Sequence, residues 1–136
     1  MKKTVKSMVD DAMSVITTYS VEEAQELHGR DDVQFVDIRD VRELEREGIV
    51  PGAFHAPRGM LEFWVDPESP YHKPVFASGK QFVLFCAMGW RSALATKTLQ
   101  DMGLPKVAHI AGGFSGWKAA GAPTAAKPAK PEKTTG

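Results

Sequence analysis

The chain has 136 residues, and its 17 Lys plus Arg are balanced by 17 Asp plus Glu, so it carries no formal net charge. That length suits one domain with a sizeable core, and the balance gives no support for a nucleic-acid or anionic-membrane partner. A single cysteine excludes an internal disulfide, a cysteine-built zinc site and a dithiol redox cycle within one chain.

Met1-Lys2-Lys3 resembles the basic opening of a signal peptide, but Lys6, Asp10 and Asp11 interrupt the next residues and no apolar core develops. No run approaches ~18 apolar residues. The expectation is a soluble, cytoplasmic protein without a membrane partner. Within residues 4–13, Val5, Met8, Val9 and Ala12 have the spacing of a short amphipathic helix, so residues 1–14 read as an N-terminal helical extension. Residues 15–19 are largely β-branched and predict a short edge strand. Ser20 and Glu23 form a capping box for a helix ending near His28-Gly29, where His28 reads as a cation at the helix C-terminus.

A second strand is expected over 33–38, running into Asp37-Ile38-Arg39-Asp40. A charged helix over 41–47 stops at Gly48, and 49–59 is a loop-and-strand segment punctuated by proline and glycine. One helical turn is expected over 61–64, with irregular chain over 65–80. The unbroken apolar run Phe82-Val83-Leu84-Phe85 predicts a strand buried on both faces, as in a parallel sheet covered by helices. A helix over 91–102 places Ala95, Leu99 and Met102 on one face and is capped by Gly103. Residues 106–110 predict a further strand. Gly112-Gly113 opens a last helix that carries Phe114 and Trp117 as core residues and ends by Gly121. The Lys-, Pro- and Ala-rich stretch 122–136 predicts a flexible tail, leaving 15–121 as the folded domain. Strands alternating with helices argue an α/β fold with a mostly parallel sheet.

The chemistry concentrates after that apolar strand. Cys86 stands at its carboxyl end, where open α/β sheets place their sites, and Ala87, Met88, Gly89, Trp90, Arg91 and Ser92 form a short loop running into a helix. A lone cysteine is most often a small buried hydrophobe. Such a cysteine needs neither a glycine-bearing turn nor an arginine five positions later at a helix start. Backbone N–H groups curled around an anion, together with Arg91, favour the thiolate. Gly89 suits a positive φ, and Trp90 is expected to be half exposed at the mouth of the loop. Arg91 could orient an anionic donor or pair with Asp37. Asp37 reads as a loop-bracing carboxylate, and Arg58 as a candidate substrate contact. His55 and His109 read as packing histidines.

Four patches then resemble a known family: Asp37-x-Arg39 with Glu43; Val50-Pro51-Gly52-Ala53-x-His55-x-Pro57; Cys86-x-x-Gly89-x-Arg91-Ser92; and Gly112-Gly113-x-x-x-Trp117. Together they resemble a single-domain rhodanese, a rhodanese-like sulfurtransferase. The chain departs at Gly48-Ile49-Val50, where many relatives read Gly-His-Ile. The resemblance implies a three-layer rhodanese-like fold with about five strands. It implies that Cys86 takes a sulfane sulfur from a small-molecule donor such as thiosulfate, holds it as a persulfide and passes it to cyanide, a thiol or a protein acceptor. It implies no metal and no organic cofactor. Two other functions compete: a cysteine phosphatase or arsenate reductase on the same scaffold, and a non-catalytic partner-binding module. Only four residues separate Cys86 from Arg91, whereas the oxyanion enzymes are expected, by resemblance, to have five.

Overall fold

A computed structural model describes residues 1–129 of the chain. Its elements are α1 (Val5–Met13), β1 (Thr17–Tyr19), α2 (Val21–Leu27), β2 (Val33–Asp37), α3 (Val41–Glu47), β3 (Phe54–His55), α4 (Leu61–Val65), β4 (Gln81–Phe85), α5 (Trp90–Met102), β5 (Val107–Ile110) and α6 (Gly113–Ala119). The sheet has five strands in the order β1-β5-β4-β2-β3, and every adjacent pair is parallel. The expected three-layer α/β architecture is therefore present, with β4 at the centre of the sheet.

Side chains alternate across a strand, and β4 uses both faces. Phe82 and Leu84 enter one core with Val36, Leu61, Phe76, Ala95 and Leu99. Val83 and Phe85 enter the other with Phe35, Ala24, Phe114 and Trp117. Cys86 continues the alternation into the first of these cores, beneath α5. The same alternation explains the unbroken apolar run, because a centre strand has no solvent face. Register fixes the height of the site: Asp37 pairs with Phe85 across β2 and β4, so the 37–39 turn and the cysteine loop leave the sheet side by side.

Local signals account for most helix ends. Ser20 and Glu23 do form a capping box on α2, and Asp40 with Glu43 forms a second one on α3. α1 packs on α5 through Val9, Ala12 and Ala93.

Three expectations change. Val15 and Ile16 are not in the edge strand; their N–H groups donate to Ala12 O and extend the turn that closes α1. His28 is not simply a helix-end cation. Its Nε2 lies 2.7 Å from Pro51 O, and its ring packs between Phe35 and Trp117. The segment after Gly121 packs rather than running free: Ala122 is buried, Trp117 Nε1–H donates to Pro123 O at 2.7 Å, and Ile49 and Ala125 exchange two backbone hydrogen bonds of 2.8 and 3.0 Å. A buried indole N–H needs an acceptor, and this strap supplies it. The remainder of the expected tail, 130–136, lies outside the described residues.

Candidate active site

Cys86 follows the last residue of β4 and is only 1% exposed. Gly89 allows the chain to turn back over the sulfur because it adopts φ +117°, a region open to glycine. That turn brings Gly89 N–H to 3.1 Å and Ser92 N–H to 3.4 Å from Cys86 Sγ. Ser92 Oγ lies 3.5 Å from the same sulfur. Two backbone donors thus converge on one atom, with a hydroxyl beside them that can accept the thiol hydrogen or turn to donate, an arrangement that favours negative charge on the sulfur.

The loop is held from below by α6. Phe114 N–H donates to Cys86 O at 2.8 Å, and Ser115 N–H donates to Ala87 O at 3.0 Å. Gly113 makes this approach possible: a Cβ there would sit 2.4 Å from Cys86 O and 2.7 Å from Ala87 O. The Gly112-Gly113 pair therefore belongs to the same construction as the cysteine, although 25 residues separate Cys86 from Gly112.

Arg91 is half exposed and forms a bidentate pair with Glu43, Nη1 to Oε1 at 2.7 Å and Nη2 to Oε2 at 2.9 Å. Its guanidinium holds the Glu43 carboxyl below the usual carboxylate range, aided by the Asp40 N–H. Glu43 and then the Cys86 sulfur strengthen the hold of Arg91 on its own proton. The expected alternative of an Arg91–Asp37 pair is not formed. Asp37 instead binds Arg39, through Nε at 3.0 Å, Nη2 at 2.7 Å and the backbone N–H at 3.1 Å. Both are buried, and Arg39 also donates to Gly48 O and lies over the Phe114 ring. Asp37 is thus a bracing carboxylate one strand away from the sulfur.

Met88 and Trp90 stand at the rim, 68% and 52% exposed, as the loop position of Trp90 suggested. Arg58 is not brought to the loop. Its guanidinium pairs with Glu62 at 2.6 Å, and it lines a cavity with Lys3, Leu94 and Lys97 on the outer side of α5. A larger cavity of about 510 Å³, lined by Val65, Phe76 and Leu104, lies at the amino ends of β4 and β5, the edge of the sheet away from Cys86. At the cysteine site the sulfur is buried beneath a loop whose Met88 and Trp90 side chains are exposed. Among the described residues there is no cluster of three or more His, Cys, Asp or Glu side chains able to hold a metal ion, and no helix is long and apolar enough to cross a membrane.

His109 is the buried, hydrogen-bonded packing histidine that the sequence suggested, and it stands directly behind the loop. It is buried on β5, with Nδ1 2.9 Å from Ser92 Oγ and Nε2 3.0 Å from Thr18 Oγ1 and 3.2 Å from Met13 Sδ. Burial pushes its pKa down to about 4, so the imidazole is neutral near pH 7. No local spacing links His109 to Cys86; only the β4–β5 register brings them together. Glu43 had a readable signal, since Asp40-x-x-Glu43 repeats the pattern of Ser20-x-x-Glu23.

The chain is similar to known proteins over most of its length. The family described as the rhodanese-like domain matches residues 20–120. A solved Rhodopseudomonas palustris protein of unknown function, named a possible tyrosine phosphatase, is 55% identical with a TM-score of 0.90, covering 92% of this chain and 96% of that one. The polysulfide-sulfur transferase of Wolinella succinogenes is 29% identical with a TM-score of 0.67, covering 88% and 85% respectively. An uncharacterised Synechocystis protein is 35% identical over 100 residues, which make up 74% of this chain but only 51% of that protein. The chain thus spans about half the length of that relative. With the cysteine loop, the double-glycine support and the matched family in the same order along one parallel sheet, this chain belongs to the rhodanese-like family.

Proposed function

We propose that the protein is a sulfurtransferase that moves a sulfane sulfur through a persulfide on Cys86. The observation that carries this reading is the convergence of Gly89 N–H, Ser92 N–H and Ser92 Oγ on a single buried sulfur. The similarity to a polysulfide-sulfur transferase supports it. In the first half-reaction the Cys86 thiolate attacks the outer sulfur of thiosulfate. A new S–S bond forms, the old one breaks, and sulfite leaves with the bonding electron pair. In the second, cyanide or a thiolate attacks the terminal sulfur and takes it, returning the electron pair to Cys86. The loop donors match a charge that sits on sulfur in both states, and the cycle uses no metal or organic cofactor. Polysulfide is a second donor of the same chemical class. A thiol or protein acceptor would meet the exposed Met88 and Trp90 first.

The test is to incubate the protein with thiosulfate or polysulfide, weigh it intact, then add cyanide. One added sulfur on Cys86, discharged as thiocyanate, is the expected result. Thiocyanate production retained by Cys86→Ala would remove Cys86 from the reaction.

One comparison favours a second reading, because the Rhodopseudomonas palustris protein is named a possible tyrosine phosphatase. Loop size argues against it. One further residue would add up to ~3.3–3.6 Å of chain, a large change for N–H donors that must each lie within ~3 Å of an anion. The four-residue spacing suits one terminal sulfur and crowds the equatorial oxygens of a phosphate. The loop also offers no Asp or Glu to protonate a leaving group. Aryl phosphate turnover by the unmodified protein, abolished in Cys86→Ser, would promote the phosphatase.

A further inference from the structure

We propose that His109 is a positioning residue that sets the direction of the hydrogen bond between Ser92 and the Cys86 sulfur. The inference rests on the reading of Cys86 as a sulfur that passes through an anionic form. Its basis is a continuous chain of contacts behind the loop: Cys86 Sγ to Ser92 Oγ at 3.5 Å, Ser92 Oγ to His109 Nδ1 at 2.9 Å, and His109 Nε2 to Thr18 Oγ1 at 3.0 Å. Cys86, Ser92 and His109 are all buried, so no solvent competes for these groups.

The direction of the chain is set by donor chemistry. Met13 Sδ lies 3.2 Å from Nε2 and 3.7 Å from Thr18 Oγ1, and a thioether only accepts. In the resting thiol, Met13 therefore favours the tautomer with hydrogen on Nε2. Nδ1 is then an acceptor, and Ser92 O–H points to it rather than to the more distant Gly89 carbonyl at 3.2 Å. That leaves Ser92 Oγ free to accept the thiol hydrogen. Every donor in the chain points away from Cys86.

An anionic sulfur needs the opposite. Ser92 O–H must point at Cys86, and Nδ1 must carry hydrogen to satisfy the serine oxygen. The conversion balances with one proton lost. The thiol proton passes to Ser92 Oγ, the serine proton passes to Nδ1, the Nε2 proton passes to Thr18 Oγ1, and the proton that Thr18 held leaves to water from that half-buried edge strand. The sulfur gains one negative charge and the imidazole stays neutral with its tautomer exchanged. Gly89 N–H and Ser92 N–H are fixed donors to the sulfur; Ser92 O–H is the one that reorients. The charged groups beside the loop are Arg91 and Glu43 at its rim and the Asp37–Arg39 pair at the carboxyl end of β2 and in the turn after it. The groups bonded to the imidazole from α1, β1 and α5 are Met13, Thr18 and Ser92, none of them charged.

The experiment reads the His109 ring nitrogens by NMR in the unmodified protein while Cys86 ionisation is followed by thiolate absorbance. Hydrogen on Nε2 is expected below the Cys86 transition and on Nδ1 above it. One tautomer throughout overturns the proposal. A second arm follows the pH midpoint of Cys86 alkylation by iodoacetamide. His109→Leu should raise it by about one pH unit, the size of one hydrogen bond's preference for the anion. Ser92→Ala should raise it similarly, and the double variant no further than Ser92→Ala alone. His109→Asn, which keeps a donor and an acceptor, should restore much of the native midpoint. Additive shifts, or a native midpoint in a folded His109→Leu, would refute the role. Neither arm needs a sulfur donor, so a protein that takes no sulfur from thiosulfate or polysulfide but exchanges its tautomer refutes the sulfurtransferase reading alone.

Discussion

Arg39 and Arg91 both close bidentate pairs with carboxylates beside the cysteine loop, yet their surroundings are opposite. The Arg39–Asp37 pair is sealed in the core at 1% and 2% side-chain exposure, whereas the Arg91–Glu43 pair stands at 43% and 20%. A sealed guanidinium has no water to fall back on, so its carboxylate is obligatory. An exposed one can exchange its carboxylate for another anion at little cost. The inner pair therefore fixes where β2 and the loop leave the sheet, and the outer pair is the one an incoming anion can open.

The largest effect should come from breaking the inner pair. Asp37→Ala strands a buried cation and should cost about 3–5 kcal/mol in urea unfolding. Replacing both partners, Asp37→Leu with Arg39→Met, should recover a large share of that loss. If the single variant is as stable as the native chain, the inner pair does not brace the loop.

Next in size is the uncharged member of the buried set. The folded chain holds His109 near pKa 4 against an ordinary 6.5. The unfolded chain takes up the proton first, so stability is complete above about pH 6.5. It falls as the pH drops towards 4 and levels off below, by ~3 kcal/mol in all. Subtracting the unfolding curve of His109→Asn isolates this slope from the carboxylates that titrate in the same window; parallel curves would contradict the burial argument.

The outer pair should behave otherwise. Glu43→Gln should change stability by no more than about 1 kcal/mol. It should also lower the thiosulfate KM several-fold, because no internal carboxylate then competes for Arg91. A raised KM would mean that Glu43 presents Arg91 rather than occupying it. Smallest in stability is Trp90→Ala at the rim, expected within about 0.5 kcal/mol. Its signature is unequal change in discharge to cyanide and to bulky thiols; an equal fall for all acceptors would point to collapse of the loop.

Local signals made much of this molecule readable. The apolar run 82–85 with its cysteine, the glycine turn and the capping box at Ser20 depend on neighbours within a few residues, and the structure places them accordingly. What escaped was set by register or by competition. The partner of Arg91 could not be read off: the sequence offered an anionic donor or Asp37, and the carboxylate it meets is Glu43, 48 positions away. A two-residue reach decided the matter by giving Asp37 to Arg39. His109 meets Ser92 only through the order of β4 and β5 in the sheet. The strap over Ala122 to Ala125 has the composition of a linker, and its reasons to dock, the indole N–H of Trp117 and the backbone of Ile49, lie outside its own pattern.

The support of the cysteine loop by α6 bears on how the protein is made. Chains emerge from the ribosome amino end first, so Cys86 is synthesised well before Phe114 and Ser115, whose N–H groups hold the carbonyls of Cys86 and Ala87. Until α6 arrives, the loop around the sulfur lacks its floor. A nascent chain that has not yet reached α6 thus lacks this support, and the anion-holding loop is assembled only once Phe114 and Ser115 have emerged. Chemistry at Cys86 becomes a property of the finished domain: a product cut short before Gly113 retains the nucleophile but not the geometry that would activate it.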